Sequence, residues 1–205
     1  MTRRGGLSAI PTTYNNVNFR SRLESRWAAL LDDLGIEWEY EAFDFRGAIP
    51  DMWLPDCRVL AEIKPTTDFA ELAHRRDWLH ATAREWILDG LIVLKHKMEM
   101  SDMIPLSAID RTLEDISRVE RGEDALYGRR AVALGARPFL DQSRDAATLD
   151  GQHYLVQCEH HVGIRRLDEP CLMCLETSTK FISGSEMMQA WRRAGSITQW
   201  KPASE

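Results

Sequence analysis

Apolar residues at Phe19, Leu23, Trp27, Leu30, Leu31 and Leu34 recur at helical spacing and predict a first helix with one buried stripe. Asn16 or Asn18 offers its cap and Gly35 its end. A strand is predicted over 37–45, closing at the turn-like Arg46-Gly47. In 59–64 the period becomes two: Leu60, Glu62 and Lys64 share one side, while Val59, Ala61 and Ile63 face a core. Met52, Trp53 and Leu54 form a preceding extended piece. Pro55-Asp56-Cys57 has the composition of a tight turn that folds the two pieces into a hairpin, bringing Asp51 beside Glu62. Pro65 stops the strand, and 66–68 cap a second helix over 69–89, with Phe69, Leu72, Leu79, Ala83 and Trp86 as its buried side. Gly90 ends it, and the continuous apolar run Leu91-Ile92-Val93-Leu94 suits a buried strand parallel to its predecessor.

The remaining pattern is weaker. Leu106, Ile109, Leu113, Ile116 and Val119 predict a helix after Pro105, and 131–135 reads as another strand. Residues 143–151 are polar enough for a linker. Ser183-Gly184-Ser185-Glu186 opens a last helix through Met187, Met188, Trp191 and Ala194, with Arg192 and Arg193 outward. The expected organisation is a core with a helical extension over 1–150 and a small C-terminal element over 151–205.

Composition changes little: 205 residues, 44% hydrophobic and 28% charged, are ordinary for one sizeable globular core plus an appendage. No apolar run is long enough to span a membrane and no leader-like apolar stretch opens the chain, so a cytoplasmic protein with no membrane partner is expected. The net charge of −6 argues against broad non-specific binding to nucleic acid. Carboxylates that gather a metal count toward that total, however, and a local basic face suffices; Arg20, Arg22 and Arg26 offer one, or else a solvated helix side.

The stretch 49–65 carries the first chemical signal. Hard cations such as Mg²⁺ take oxygen ligands, usually one or two carboxylates plus waters and substrate phosphate, and a neighbouring Lys can hold a water or neutralise phosphate. Asp51, Glu62 and Lys64 fit that need. They fit equally a β-hairpin with a solvated Glu and Lys opposite a partner strand. Glu24, at the margin of the first helix's stripe, can lean toward a sheet edge or pair with Arg20 four residues earlier.

Pro50-Asp51 followed by Glu62-Ile63-Lys64 resembles the signature of the PD-(D/E)XK nucleases. Upstream, Arg20-Ser21-Arg22-Leu23-Glu24 and Trp38-Glu39-Tyr40-Glu41 look like the first helix and strand of a phage and bacterial branch of that superfamily. The resemblance covers residues 14–97. It implies a restriction-endonuclease-like α/β core, a mixed central sheet flanked by helices, that hydrolyses DNA with Mg²⁺ or Mn²⁺. It further implies that Asp51, Glu62 and the backbone carbonyl of Ile63 hold the metal, that Lys64 orients or activates the attacking water, and that Glu24 joins the site. A second Pro-Asp, Pro55-Asp56, competes with the first but lies in the predicted turn.

The second signal is Cys158-Glu159-His160-His161 and Pro170-Cys171-Leu172-Met173-Cys174, whose C-x2-H and C-x2-C halves have tetrahedral zinc spacing. Cys158, His161, Cys171 and Cys174 are the expected ligands of a structural Zn²⁺ in a small knuckle, with His160 a substitute for His161; reduced structural thiols are the alternative. The resulting expectation is a metal-dependent deoxyribonuclease. Two other classes stay open: an inactive zinc-containing nucleic-acid-binding module, and a protein-interaction factor of phage origin.

Overall fold

In the computed structural model, which describes residues 9–57, 59–99, 130–158, 162–166 and 180–198, the chain enters through an antiparallel hairpin of β1 (Thr12–Tyr14) and β2 (Val17–Phe19). Asn15 and Asn16 connect the strands with φ of 47° and 62°. Two consecutive left-handed residues give a two-residue turn whose twist matches the strands, and Asn tolerates that conformation. Of the two expected caps, Asn16 is therefore a hairpin-turn residue and Asn18 lies within β2, paired with Thr13, and the first helix starts later. Ser21, extended, caps α1 (Arg22–Asp33), its side chain accepting the Glu24 N–H. Gly35 ends the helix at φ 70°, donating to the Asp32 carbonyl at 3.0 Å while Ile36 donates to Leu31 at 2.9 Å, a paired closure that needs a left-handed residue.

Strand β3 (Glu39–Tyr40) is much shorter than the expected 37–45. The left-handed Glu41, Arg46 and Gly47 break the extended chain there. Next come β4 (Met52–Leu54), β5 (Val59–Ile63), α2 (Phe69–Glu99) and β6 (Arg130–Leu134), giving a four-stranded sheet in the order β3-β4-β5-β6. Its first three strands are antiparallel neighbours and β6 runs parallel to β5. The run 91–94 is thus not the parallel strand: it continues α2, and the parallel neighbour is 130–134. A continuous apolar run has no period to separate strand from helix, and one interior glycine costs about 1 kcal/mol, which a 31-residue helix absorbs. The helix expected after Pro105 lies outside the described residues.

Residues 143–151, expected as a linker, contain a strand. Strands β7 (Phe139–Asp141), β8 (Ala146–Thr148), β9 (His153–Gln157) and β10 (Val162–Arg166) form an antiparallel sheet, with β11 (Lys180–Phe181) also paired to β9. The helix α3 (Gly184–Ile197) closes the described chain with a capping box, Ser183 and Glu186 each satisfying the other's backbone.

Period-two alternation sorts the strands' side chains. Val59, Ala61 and Ile63 of the first sheet, and Ala147, Leu155 and Ile164 of the second, join α1 and α3 in one core cluster, where the rings of Trp27 and Trp191 lie 4.9 Å apart. The chain on both sides of residue 150 contributes to it. On the opposite face, Leu60 and Ala131 pack with Leu79 and Ala83 of α2. Phe69, expected on the buried side of α2, is 45% exposed and lies against Phe139. Among the described residues, no helix is long and apolar enough to cross a membrane.

Candidate active site

The β4/β5 register pairs Met52 with Ala61, so Asp51, just before β4, and Glu62, near the end of β5, meet at one end of the hairpin, where the Glu62 charge acts on Asp51. Asp51 therefore stands where β4 begins, and Glu62 to Lys64 where β5 ends. The Lys64 N–H extends the parallel ladder by donating to the Leu134 carbonyl at 2.8 Å. Asp51 is buried and held on three sides. Its Oδ2 accepts the Ile63 N–H at 2.7 Å, its Oδ1 accepts Arg20 Nη2 at 2.6 Å, and its carbonyl accepts the Glu41 N–H at 3.1 Å. Glu62, also buried, pairs with Lys64 Nζ at 2.6 Å.

Glu24 comes from the first turn of α1. Its Oε1 accepts the Ser21 hydroxyl at 2.7 Å, and its Oε2 accepts the Tyr40 hydroxyl at 2.6 Å and the Arg20 N–H at 3.1 Å. Those contacts secure the start of the helix as well as placing a carboxylate near Asp51. Tyr40 and Glu41 are site residues that spacing alone did not single out. Tyr40 bridges Glu24 and Arg20, and Glu41 Oε1 receives Arg20 Nε at 2.9 Å. Both belong to the Trp38-Glu39-Tyr40-Glu41 segment, where an aromatic hydroxyl one residue before an acid was the available signal.

Negative charge is in excess here, and it shows in the titration. Burial, then the charge of Glu62, push the Asp51 carboxyl up to about 6; Glu24 adds to this, while the Ile63 N–H and Lys64 oppose it. Burial and the hydrogen bond to Glu24 push the Tyr40 hydroxyl up to about 12. A buried carboxylate crowded by others gains from any added cation.

A hard divalent cation fits these donors in type and charge. Asp51 and Glu62 offer carboxylate oxygens, and Ile63, whose N–H binds Asp51 Oδ2, lies next to both. As the side chains stand, no three His, Cys, Asp or Glu among the described residues group closely enough to cage a metal. Mg²⁺ does not require a cage, since it keeps several waters and usually takes only one or two protein carboxylates.

The three arginines expected at a nucleic-acid face separate. Arg20 reaches the carboxylates and Arg22 is exposed. Arg26 instead lies over the Trp191 ring, 3.9 Å from its centroid, and donates to the Trp191 carbonyl at 2.7 Å. Of the expected zinc ligands, Cys158 is buried just past the end of β9. His161, its substitute His160, Cys171 and Cys174 lie outside the described residues.

No family model matches this chain, and no curated protein or solved structure matches it significantly.

Proposed function

We propose that this chain is a divalent-metal-dependent endonuclease that hydrolyses DNA phosphodiester bonds, built on a restriction-endonuclease-like core. The observation that carries the proposal is the meeting of Asp51, Glu62 and Lys64 at one end of the β4/β5 hairpin, with Glu24 brought beside Asp51 from α1. The element order supports it. A helix, three antiparallel strands, a helix and a strand parallel to the third is the order that the PD-(D/E)XK resemblance implies, with 130–134 in the place expected for 91–94.

Asp51 and Glu62, with the Ile63 carbonyl, are the groups that would hold Mg²⁺ or Mn²⁺. When bound, such an ion neutralises charge building on the phosphate and leaving oxygen and acidifies a water. Lys64 Nζ, anchored on Glu62, donates to the attacking water and orients it toward phosphorus. Asp51 acts as an anion; burial and Glu62 hold its carboxyl up at about 6 in the metal-free site, and a bound cation, which favours the anion, would bring it down. Glu24 holds Arg20 and Tyr40 in place and adds a third negative charge. A structural Zn²⁺ on Cys158, His161, Cys171 and Cys174 forms the second part of the proposal; a closed set of four ligands organises a small knuckle and leaves no position open for substrate.

The test is incubation of the full chain with duplex, single-stranded and branched DNA in Mg²⁺, Mn²⁺ or EDTA. Cutting that appears only with the metal is the expected result. Absence of cutting by folded, zinc-loaded protein contradicts the proposal.

A further inference from the structure

Arg20 is fixed at its backbone and exposed at its tip. Its N–H is shared by Glu24 Oε2 and the Tyr40 hydroxyl, both at 3.1 Å, immediately before the cap of α1. Its side chain is 58% exposed, yet Nη2 lies 2.6 Å from Asp51 Oδ1 and Nε lies 2.9 Å from Glu41 Oε1. The Asp51 side chain is only 6% exposed, and its other oxygen is tied to the Ile63 N–H. The carboxylate cannot follow the guanidinium, but the guanidinium can leave the carboxylate.

That asymmetry matters because the oxygen Arg20 holds belongs to a group that a divalent cation would need. Arg20 Nε also reaches the Tyr40 hydroxyl at 3.3 Å, so the stem is held from Tyr40 and Glu41 while the open side of the guanidinium is hydrated, and a doubly charged ion outcompetes its single charge for the Asp51 oxygen. Once displaced, the guanidinium remains tethered at the rim of the site. Its planar fork matches phosphate oxygens better than any other side chain does.

We propose that Arg20 is the tethered counter-ion of the metal-free site: it pairs with Asp51 until a divalent cation takes that oxygen, and the released guanidinium then pairs with a phosphate of the bound strand. This rests on the nuclease reading. It makes Arg20 a metal-gated phosphate contact, which separates it from Arg26, held on Trp191 throughout.

The test has two readouts that need no turnover. Calorimetric titration of the full chain with Mn²⁺, without nucleic acid, compares wild type, R20M, R20K and D51N. A salt series then measures binding of a short DNA duplex to wild type and R20M, in Ca²⁺ and in EDTA. Removing the competing cation should tighten Mn²⁺ binding by R20M roughly two- to fivefold, the range expected for an exposed ion pair, with R20K between. The wild-type salt dependence should exceed that of R20M by about one phosphate contact in Ca²⁺ and match it in EDTA. Equal or weaker Mn²⁺ binding by R20M overturns the proposal, as does a salt-slope difference that persists unchanged in EDTA; in either case Arg20 is an anchor or a constant phosphate contact. The nuclease reading fails separately, and takes this proposal with it, if wild type binds no Mn²⁺ or binds it no better than D51N.

Discussion

Asp51 is the residue at which folding and function pull in opposite directions. Its carboxyl titrates at about 6 in the folded protein against 3.8 for the ordinary side chain, mainly because it is buried and faces Glu62. A raised acid binds its proton more tightly when folded. Its ionisation therefore leaves stability untouched below pH 3.8, costs more as pH rises from 3.8 to 6, and levels off above that. At about 1.4 kcal/mol per pH unit, the full cost is at most about 3 kcal/mol. In an R20M background, where no guanidinium faces the second oxygen, D51N, which keeps an oxygen for the Ile63 N–H, should be more stable than its Asp51 parent at pH 8 in EDTA, with the gap closing as pH falls below 6. Urea unfolding at pH 5, 6.5 and 8 measures this, and a less stable D51N at pH 8 in that background would refute it. The adjacency of Asp51 and Glu62 was legible in the sequence because strand alternation and the Pro55-Asp56-Cys57 turn fix it together. The contacts Arg20–Asp51 and Tyr40–Glu24 were not legible. They join residues 31 and 16 apart through loop conformation, which no periodicity reports.

At the scale of elements, the expectations that held rest on signals with one meaning. Ser183 and Glu186 at capping-box spacing opened α3 where expected, and Gly35 closed α1. Those that failed rest on residues with two. Asn serves as a helix cap and as a left-handed turn residue, and only the strand pairing of 12–14 with 17–19 decides between them. The apolar run 91–94 is ambiguous in the same way. The turn gives a direct check: Asn16, at φ 62°, should accept Gly with a change of a few tenths of a kcal/mol, since a two-residue turn of this type favours Asn-Gly. N16V, with a β-branched side chain forced to positive φ, should cost about 1 kcal/mol or more. Thermal melts that add N16S separate a turn from a cap, because Ser replaces Asn at a helix cap at little cost but is disfavoured at the positive φ of the turn. α3 provides a second check. S183A should lose about 1 kcal/mol in urea unfolding through its cap alone.

Across the whole molecule, the first sheet, α1, α3 and the second sheet share one apolar cluster, and a buried polar network ties in α2. Asp150 accepts from the His153 ring at 3.0 Å and from Arg76 Nη1 of α2 at 3.3 Å. Hydrogen bonds from His153 hold its carboxyl below the usual range even though burial works the other way. Removing that carboxylate takes one partner from the buried Arg76 guanidinium, which keeps Asp77, and one from the His153 imidazole, so D150A should destabilise by about 2 kcal/mol or more, well beyond the loss from R193A, which cuts the exposed Arg193–Asp33 pair. Equal losses from the two variants would mean the network is not a tie. None of this was readable beforehand, because the network spans 74 residues between α2 and a turn of the second sheet. The shared core also means that the carboxylates at the end of β4 and β5 rest on a scaffold built from most of the described chain. The most direct measurement is single-turnover DNA cleavage in Mg²⁺ by wild type, E62Q and K64M, each first shown to unfold with wild-type cooperativity. Both variants should lose about 100-fold or more in rate while remaining folded, the scale expected when a positioned proton-handling or charge-stabilising group is removed; cleavage by either at the wild-type rate would contradict the assignment of this site.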